Sequence, residues 1–319
     1  PVDGHNIKML ISALKIARDS EGPVLLHVIT KKGKGYKFAE DNPNTFHGLS
    51  GFDPVTGKEP APQESFSSVF GAELVKLANR DRRITAITAA MPGGTGLAEF
   101  AETFPDRFSD VGIAEGHAAV MAGGEAHKGL IPVYAVYSTF LQRAYDMLIQ
   151  DVAMGQEHVV LAVDRAGLVG QDGETYHGVF DVSFLTSIPN MTVLAPASFQ
   201  ELRDMLDMAV ETFNGPIAIR YPKGGEGRYR DGGTQASCII REGSDFTIIT
   251  YGIMVNNAME AADILEEQGI SVEILKLGYI KPLDIEAVER AAEHTGRLLV
   301  LEDCLKSGGI GEKIASLLM

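Results

Sequence analysis

From Ser65 onward, short apolar runs alternate with amphipathic helical patterns, and this alternation restricts the chain to a mainly parallel sheet wrapped in helices. Phe66, Val69, Phe70, Leu74 and Leu77 recur on one helical face, and the run ITAIT at 84–88 follows as a strand. Further strands read at 132–136, 159–163, 192–195 and 217–220. Ser198 with Glu201 three places on is a capping-box signature, opening a helix that turns Leu202, Met205, Leu206, Ala209 and Val210 inward. The fold class is therefore α/β, with the sheet covered on both faces.

The flanking segments differ in texture. Residues 7–18 read as a helix and 23–30 as a strand, followed by the basic, glycine-containing run KKGKGYK and nearly thirty polar residues ending in GFDPVTGKEPAPQ. A connection this long is usually functional or a linker, so a boundary is expected near residue 60. Residues 223–238, rich in Gly, Arg and Asp, read as a second linker. Beyond them a smaller α/β unit is expected, with strands at 246–250, 271–277 and 298–302 and helices ending near Glu267 and His294. The 319 residues thus suggest two domains and a partial third, and the opening at Pro1 and the stop inside the helical pattern GEKIASLLM read as a piece of a longer chain.

Charge narrows the partners. With 28 Lys+Arg against 43 Asp+Glu the net charge is −15, which disfavours nucleic acid and anionic membrane surfaces, since both need a basic field. No run approaches the roughly 18 apolar residues of a membrane-spanning helix. Cys238 and Cys304 are far apart, with no CxxC and no Cys/His pair at ligand spacing, so no metal site is expected and a reduced, cytoplasmic setting is the natural reading.

Ligands of open α/β sheets bind beyond the carboxyl ends of the strands. The glycine-rich AAMPGGTG follows the strand at 84–88 and reads first as a turn; Glu115 and His117 follow Val111 at a helix start, where a carboxylate suits the helix dipole whatever else it does. Tyr137, Phe140 and Arg143 follow one strand, Asp164 and Arg165 the next, and Arg220 another. A single arginine at a strand end is ordinarily a salt-bridge residue. Three of them on one sheet of an acidic protein suggest a small anionic substrate, most simply a phosphate ester, because guanidinium pairs bidentately with such oxygens.

The runs GPVLLHVITKKGKGY, NTFHG, FPDRFSDVGIAEGHA, VYSTFLQRAYDMLIQDVA, DRAGLVGQDGET, HGVFD, SIPNM, AIRYPKG and KPLD cover nearly the whole chain. Together they resemble the 1-deoxy-D-xylulose-5-phosphate synthase family of transketolase-like thiamine-diphosphate enzymes. The resemblance implies the tail of a diphosphate-binding domain with its linker at 1–62, a transketolase-like pyrimidine-binding domain at 63–225, and a truncated transketolase C-terminal domain at 238–319. It implies condensation of pyruvate with glyceraldehyde 3-phosphate, with loss of CO2, in a homodimer serving isoprenoid and thiamine biosynthesis. The cofactors implied are thiamine diphosphate and Mg2+.

Residue by residue, the resemblance makes Glu115 the carboxylate on the cofactor's aminopyrimidine, Phe140 the aromatic that packs on it, and Lys32 a lysine on the diphosphate side. Tyr137, Arg143, Arg165 and Arg220 match residues facing the substrate phosphate, with Asp172 and His47 beside the reacting groups. Two departures stand out. The loop reads Asp172-Gly173-Glu174-Thr175-Tyr176-His177, so Tyr176 occupies the place of the family's loop histidine and His177 falls one position late. Either Tyr176 stands in as a hydrogen-bond donor or His177 takes over; the intact remainder of the site favours takeover. The second departure is that the family's GDG-to-Asn motif for diphosphate and Mg2+ is missing, so those ligands are expected in an N-terminal half. A β-type subunit of another transketolase-like 2-oxo-acid enzyme, and a fragment that keeps only fold and subunit contacts, are the alternatives.

Overall fold

A computed structural model describes residues 1–43, 45–48, 51–59 and 63–319. Asn44 of the NTFHG run and the boundary expected near residue 60, at Pro60–Pro62, lie outside the described residues. The chain divides into two compact units, Pro1–Gln63 and Glu64–Met319.

In the first unit, β1 (Val2–Asp3) and β2 (Val28–Ile29) pair in parallel around α1 (Ile7–Asp19). The Asn6 side chain caps α1 by accepting from Met9 N at 3.1 Å. The strand expected over 23–30 shrinks to Val28–Ile29, because β1 offers only two residues to pair with. After α2 (Lys37–Asp41), Tyr36, Phe46 and Phe52 pack mutually with ring centroids 5.2 to 5.7 Å apart. This aromatic group anchors the polar stretch.

The second unit holds two sheets. In chain order it contains α3 (Phe66–Arg80), β3 (Ile84–Thr88), α4 (Ala98–Thr103), β4 (Phe108–Asp110), α5 (Glu115–His127), β5 (Ile131–Tyr137) and α6 (Ser138–Leu141). Next come α7 (Tyr145–Met147), β6 (Val160–Asp164), α8 (Asp181–Ser187), β7 (Thr192–Leu194), α9 (Phe199–Glu211) and β8 (Ile217–Arg220). The last part has β9 (Ser237–Arg241), β10 (Phe246–Tyr251), α10 (Met254–Glu266), β11 (Val272–Leu277), β12 (Tyr279–Lys281), α11 (Ile285–Thr295), β13 (Leu298–Leu301) and α12 (Ile310–Leu318).

The larger sheet has the order β12-β7-β8-β6-β5-β3-β4, all parallel except β12. Every residue of β3, β6 and β8 is buried, which is why these strands read as continuous apolar runs. One face carries Phe66, Phe70 and Leu74 of α3 with Leu202 and Leu206 of α9. The other carries Ala118, Ala119 and Ala122 of α5, and this core continues into Ile249 and Leu275 of the smaller sheet and Val288 of α11. The smaller sheet runs β13-β10-β11-β9 with β9 antiparallel at its edge. β12 leaves β11 through Gly278 and joins the larger sheet instead. β9, which starts at the end of the stretch read as linker, and β12 are short edge strands. No helix among the described residues is long and apolar enough to cross a membrane.

The capping box expected at α9 forms with a shift. Ser198 accepts from Glu201 N at 3.0 Å, while the Glu201 carboxylate accepts from Ala197 N at 2.8 Å, one residue before the cap. Its other oxygen takes the Lys276 ammonium of β11, and both side chains are buried. Removing one partner of such a pair strands a charge in the core. Lys276→Met is therefore expected to lower the unfolding free energy by about 3–5 kcal/mol in urea titration. Arg290→Ala, which breaks the exposed pair with Glu286, should change it by less than about 0.5 kcal/mol. Equal small effects would contradict the pairing.

Candidate active site

The carboxyl ends of β5 and β6 gather the polar groups. Glu115 begins α5, only 4% exposed, where the unpaired N–H groups of the first turn favour a carboxylate. Arg143, on the turn following α6, reaches back so that Nη1 donates to Glu115 Oε1 at 2.5 Å. The arginine side chain itself is 54% exposed, so the pair runs from the core to the wall of the site. Its guanidinium carbon lies 4.9 Å from the Phe140 ring centroid.

Phe140 sits within a row of rings. Tyr137 stacks near it, with centroids 5.8 Å apart and planes 19° from parallel, and Tyr176 meets it edge-on at 5.4 Å. Arg165 lies over the far ring, with Cζ 3.8 Å from the Tyr137 centroid. Burial pushes the Tyr137 phenol up to about 12, so near neutrality it is an uncharged hydrogen-bond donor. The glycine-rich loop after β3 is shaped to this ring, because a Cβ on Gly94 would lie 1.8 Å from the Tyr137 hydroxyl. That loop was read as a turn; its part in the site had no signal beyond the glycines.

Arg165 is held on several sides. Its Nη1 donates to Gly94 O at 2.7 Å and lies 3.0 Å from Asp164 Oδ1, and its Nε is 3.8 Å from Asp172 Oδ2. Asp172 also takes the Lys223 ammonium. Burial pushes the Asp164 carboxyl upward, opposed by Arg165 and by the Ser67 hydroxyl, which donates at 2.7 Å.

Arg220 is in a different environment. At 2% exposure its Nε donates to Asp181 Oδ2 at 2.9 Å and its Nη2 lies 2.9 Å from Asp303 Oδ1. Asp303 follows β13, so this ion group ties the two sheets together. The structure brings Glu115, Tyr137, Phe140, Arg143, Arg165 and Asp172 into neighbouring contacts, while Arg220 is engaged by two carboxylates in the core. Asp181 and Asp303 gave no signal in the sequence, since each acts through a residue far along the chain.

The loop bearing Tyr176 and His177 is closed on itself by Gly167 N to Gly178 O at 2.9 Å and Gly178 N to Gly167 O at 2.8 Å. Within it the Tyr176 ring joins Phe140, while His177 Nδ1 accepts from Val169 N at 3.1 Å. His177 thus braces its own loop, and the residue in contact with the aromatic row is Tyr176. In the first unit Lys32 Nζ lies 2.7 Å from His47 Nδ1. A lysine ammonium can only donate, so the His47 ring carries its proton on Nε2.

The description "Transketolase, pyrimidine binding domain" matches residues 63–225, just over half of the chain. The chain belongs to the transketolase pyrimidine-binding domain family. "Transketolase, C-terminal domain" matches residues 236–319 of this transketolase relative, and "1-deoxy-D-xylulose-5-phosphate synthase" matches residues 1–30. Two 1-deoxy-D-xylulose-5-phosphate synthases are similar throughout. That of Desulforudis audaxviator is 49% identical over 100% of this chain and 51% of the relative. That of Clostridium acetobutylicum is 47% identical over 98% of this chain and 52% of the relative. The chain thus spans about half the length of the curated relatives it matches. Among solved structures, a "Split gene transketolase, inactive beta4 tetramer" superposes with TM-score 0.71 and 28% identity, covering 81% of this chain and 85% of that one. Transketolase from Leishmania mexicana shares the fold, with TM-score 0.68 at 17% identity over 79% of this chain and 40% of that one.

In this transketolase-type chain the sealing of the Arg220 group has a chemical reporter. Cys304 lies beside it, its Sγ 3.5 Å from the Tyr251 hydroxyl, and burial pushes its thiol up to about 12. Since the thiolate is the nucleophile, iodoacetamide at pH 8 should modify Cys304 on the order of 100-fold more slowly in the native chain than in urea. Equal rates, read by peptide mass spectrometry, would mean that the cluster is open to solvent.

Proposed function

We propose that this chain is the C-terminal part of a thiamine-diphosphate-dependent 1-deoxy-D-xylulose-5-phosphate synthase, which joins pyruvate to glyceraldehyde 3-phosphate with loss of CO2. The observation that carries the reading is the buried Glu115 carboxylate paired to Arg143 beside the Phe140 ring, in a chain similar to such synthases along its whole length. A buried acid next to an aromatic face fits an aminopyrimidine, which offers a ring nitrogen to hydrogen-bond and a flat surface to pack. Glu115 would hold the proton shared with that ring nitrogen, Phe140 would orient the ring, and Arg143 would keep the carboxyl group aimed. When bound, thiamine diphosphate supplies the thiazolium carbon at which pyruvate loses CO2.

The diphosphate and Mg2+ fit less well. Among the described residues no group of three or more His, Cys, Asp or Glu side chains could hold a metal ion. We assign the metal and most of the diphosphate contacts to an N-terminal half, with this chain's Lys32 on the diphosphate side and His47 beside the reacting groups, and no step is drawn through them. Arg165 and Tyr137, with the solvent-facing part of Arg143, are assigned to the acceptor's phosphate. Asp172 restrains Arg165, and Tyr176, in place of His177, is the loop's hydrogen-bond donor to the reacting groups. Arg220 is assigned to the frame behind the site. The whole enzyme is proposed to act in the cytoplasm as a homodimer, in the supply of isoprenoid and thiamine precursors.

A second reading is favoured by the similarity to the split-gene transketolase, described as inactive: a subunit of similar extent that turns over only with a complementary chain. Both readings are tested by assaying product from pyruvate and glyceraldehyde 3-phosphate in two preparations, the chain joined to an N-terminal half from a relative and the two mixed as separate chains. Product from the joined enzyme alone supports the proposal, and none from either preparation contradicts it. In the joined enzyme Glu115→Gln should slow exchange of the thiazolium proton, followed by NMR in D2O, by about 10²-fold or more, since an amide cannot carry out the proton transfer. Exchange at the parent rate would make the carboxylate structural.

A further inference from the structure

Asp164 and Arg165 are adjacent at the end of β6, and in a continuing strand their side chains would point to opposite faces. The backbone prevents this. Arg165 has φ of +59°, in the left-handed region that a non-glycine residue enters only when its surroundings impose it. The turn brings the guanidinium back over its own neighbour, placing Nη1 3.0 Å from Asp164 Oδ1. Nη1 donates to Gly94 O, 2.7 Å away, and Asp164 Oδ1 is left without an aligned hydrogen bond. Asp164 therefore acts on Arg165 through charge at short range, in a place fully removed from water.

The carboxylate is itself fixed from a third element. Ser67, on α3, donates its hydroxyl to Asp164 Oδ2 at 2.7 Å, so that helix holds the acid while the acid holds the arginine. On the other side the guanidinium rests on the Tyr137 ring at 3.8 Å. Its Nε is buried without a hydrogen-bond partner and lies 3.8 Å from Asp172 Oδ2, so one donor remains uncommitted.

The geometry points to Asp164 as a positioning residue for Arg165, seated by Ser67, that sets the guanidinium against Tyr137 to meet the phosphate of an acceptor substrate. It rests on the proposed acceptor site and adds a residue that touches neither substrate nor cofactor. Losing the Asp164 charge should loosen Arg165 and weaken the phosphorylated acceptor selectively.

The test uses the joined, complete enzyme. Asp164→Asn, which keeps the shape and loses the charge, should raise the KM for glyceraldehyde 3-phosphate by about 10-fold, as loss of one charge-assisted contact does, and leave the pyruvate KM within about twofold. Ser67→Ala should shift the acceptor KM in the same direction by about 3-fold, the scale of one neutral hydrogen bond. On an Arg165→Ala background the Asp164→Asn effect should vanish, since the acid has nothing left to position. Equal shifts in both KM values, or an Asp164→Asn effect undiminished without Arg165, would overturn the inference. If Arg165→Ala itself leaves the acceptor KM unchanged, the acceptor-site reading fails, and a crystal structure of Asp164→Asn decides the positioning claim separately. A guanidinium displaced from Tyr137 supports it, and one still stacked there contradicts it.

Discussion

A parallel sheet buried on both faces has one edge at which polar chemistry can be displayed without opening the core, the row of strand carboxyl ends. In this chain β5 ends in Tyr137 and runs on to Phe140 and Arg143, β6 ends in Asp164 and Arg165, and α5 begins with Glu115 beside them. The strand-end residues of the site depend on that registration. Tyr137 pairs with Asp164 across neighbouring strands, so the ring and the acid that flank Arg165 sit at the same height. Their spacing is a consequence of sheet pairing and needs no loop to arrange it.

Behind that edge, charge is used twice more, in the core. Arg220 between Asp181 and Asp303, and Lys276 against Glu201, both link the larger sheet's layer to the smaller sheet's residues. Buried ion pairs of this kind add little net stability, but they penalise any arrangement that separates the partners. They therefore specify how the two sheets pack, which apolar contacts such as Ile249 and Leu275 in the shared core would specify less sharply. The division among the three strand-end arginines follows. Arg143 keeps an exposed guanidinium, Arg165 is nearly covered beside one carboxylate and a tyrosine ring, and Arg220 is buried between two carboxylates.

Much of the architecture was legible in the sequence because periodicity reports burial. β3, β6 and β8 are continuous apolar runs, and α3 and α9 carry one-sided faces with Ser caps, so their places were readable within a residue or two. β12 was not, since an edge strand of three residues is defined by its partner and not by its own pattern, and β9 begins within a polar, glycine-rich stretch that hides its start. The site divides in the same way. The strand-end positions of Glu115, Arg143 and Arg165 follow from the sheet, but the pairing of Glu115 with Arg143, 28 positions apart, and of Arg165 with Gly94, 71 apart, depends on tertiary packing. Expectation and structure part at His177. Adjacent positions on a loop diverge, and here it is Tyr176 that reaches Phe140 while His177 turns to Val169.

The proposed division of labour gives this chain the aminopyrimidine and acceptor sides of a site whose metal and most diphosphate ligands an N-terminal half would supply. Calorimetric titration of thiamine diphosphate with Mg2+ into the chain alone, and into the chain joined to an N-terminal half, tests this most directly. The account predicts no saturable binding to the chain alone and saturable binding, at about micromolar Kd, to the joined protein. Saturable micromolar binding to the chain by itself would contradict it.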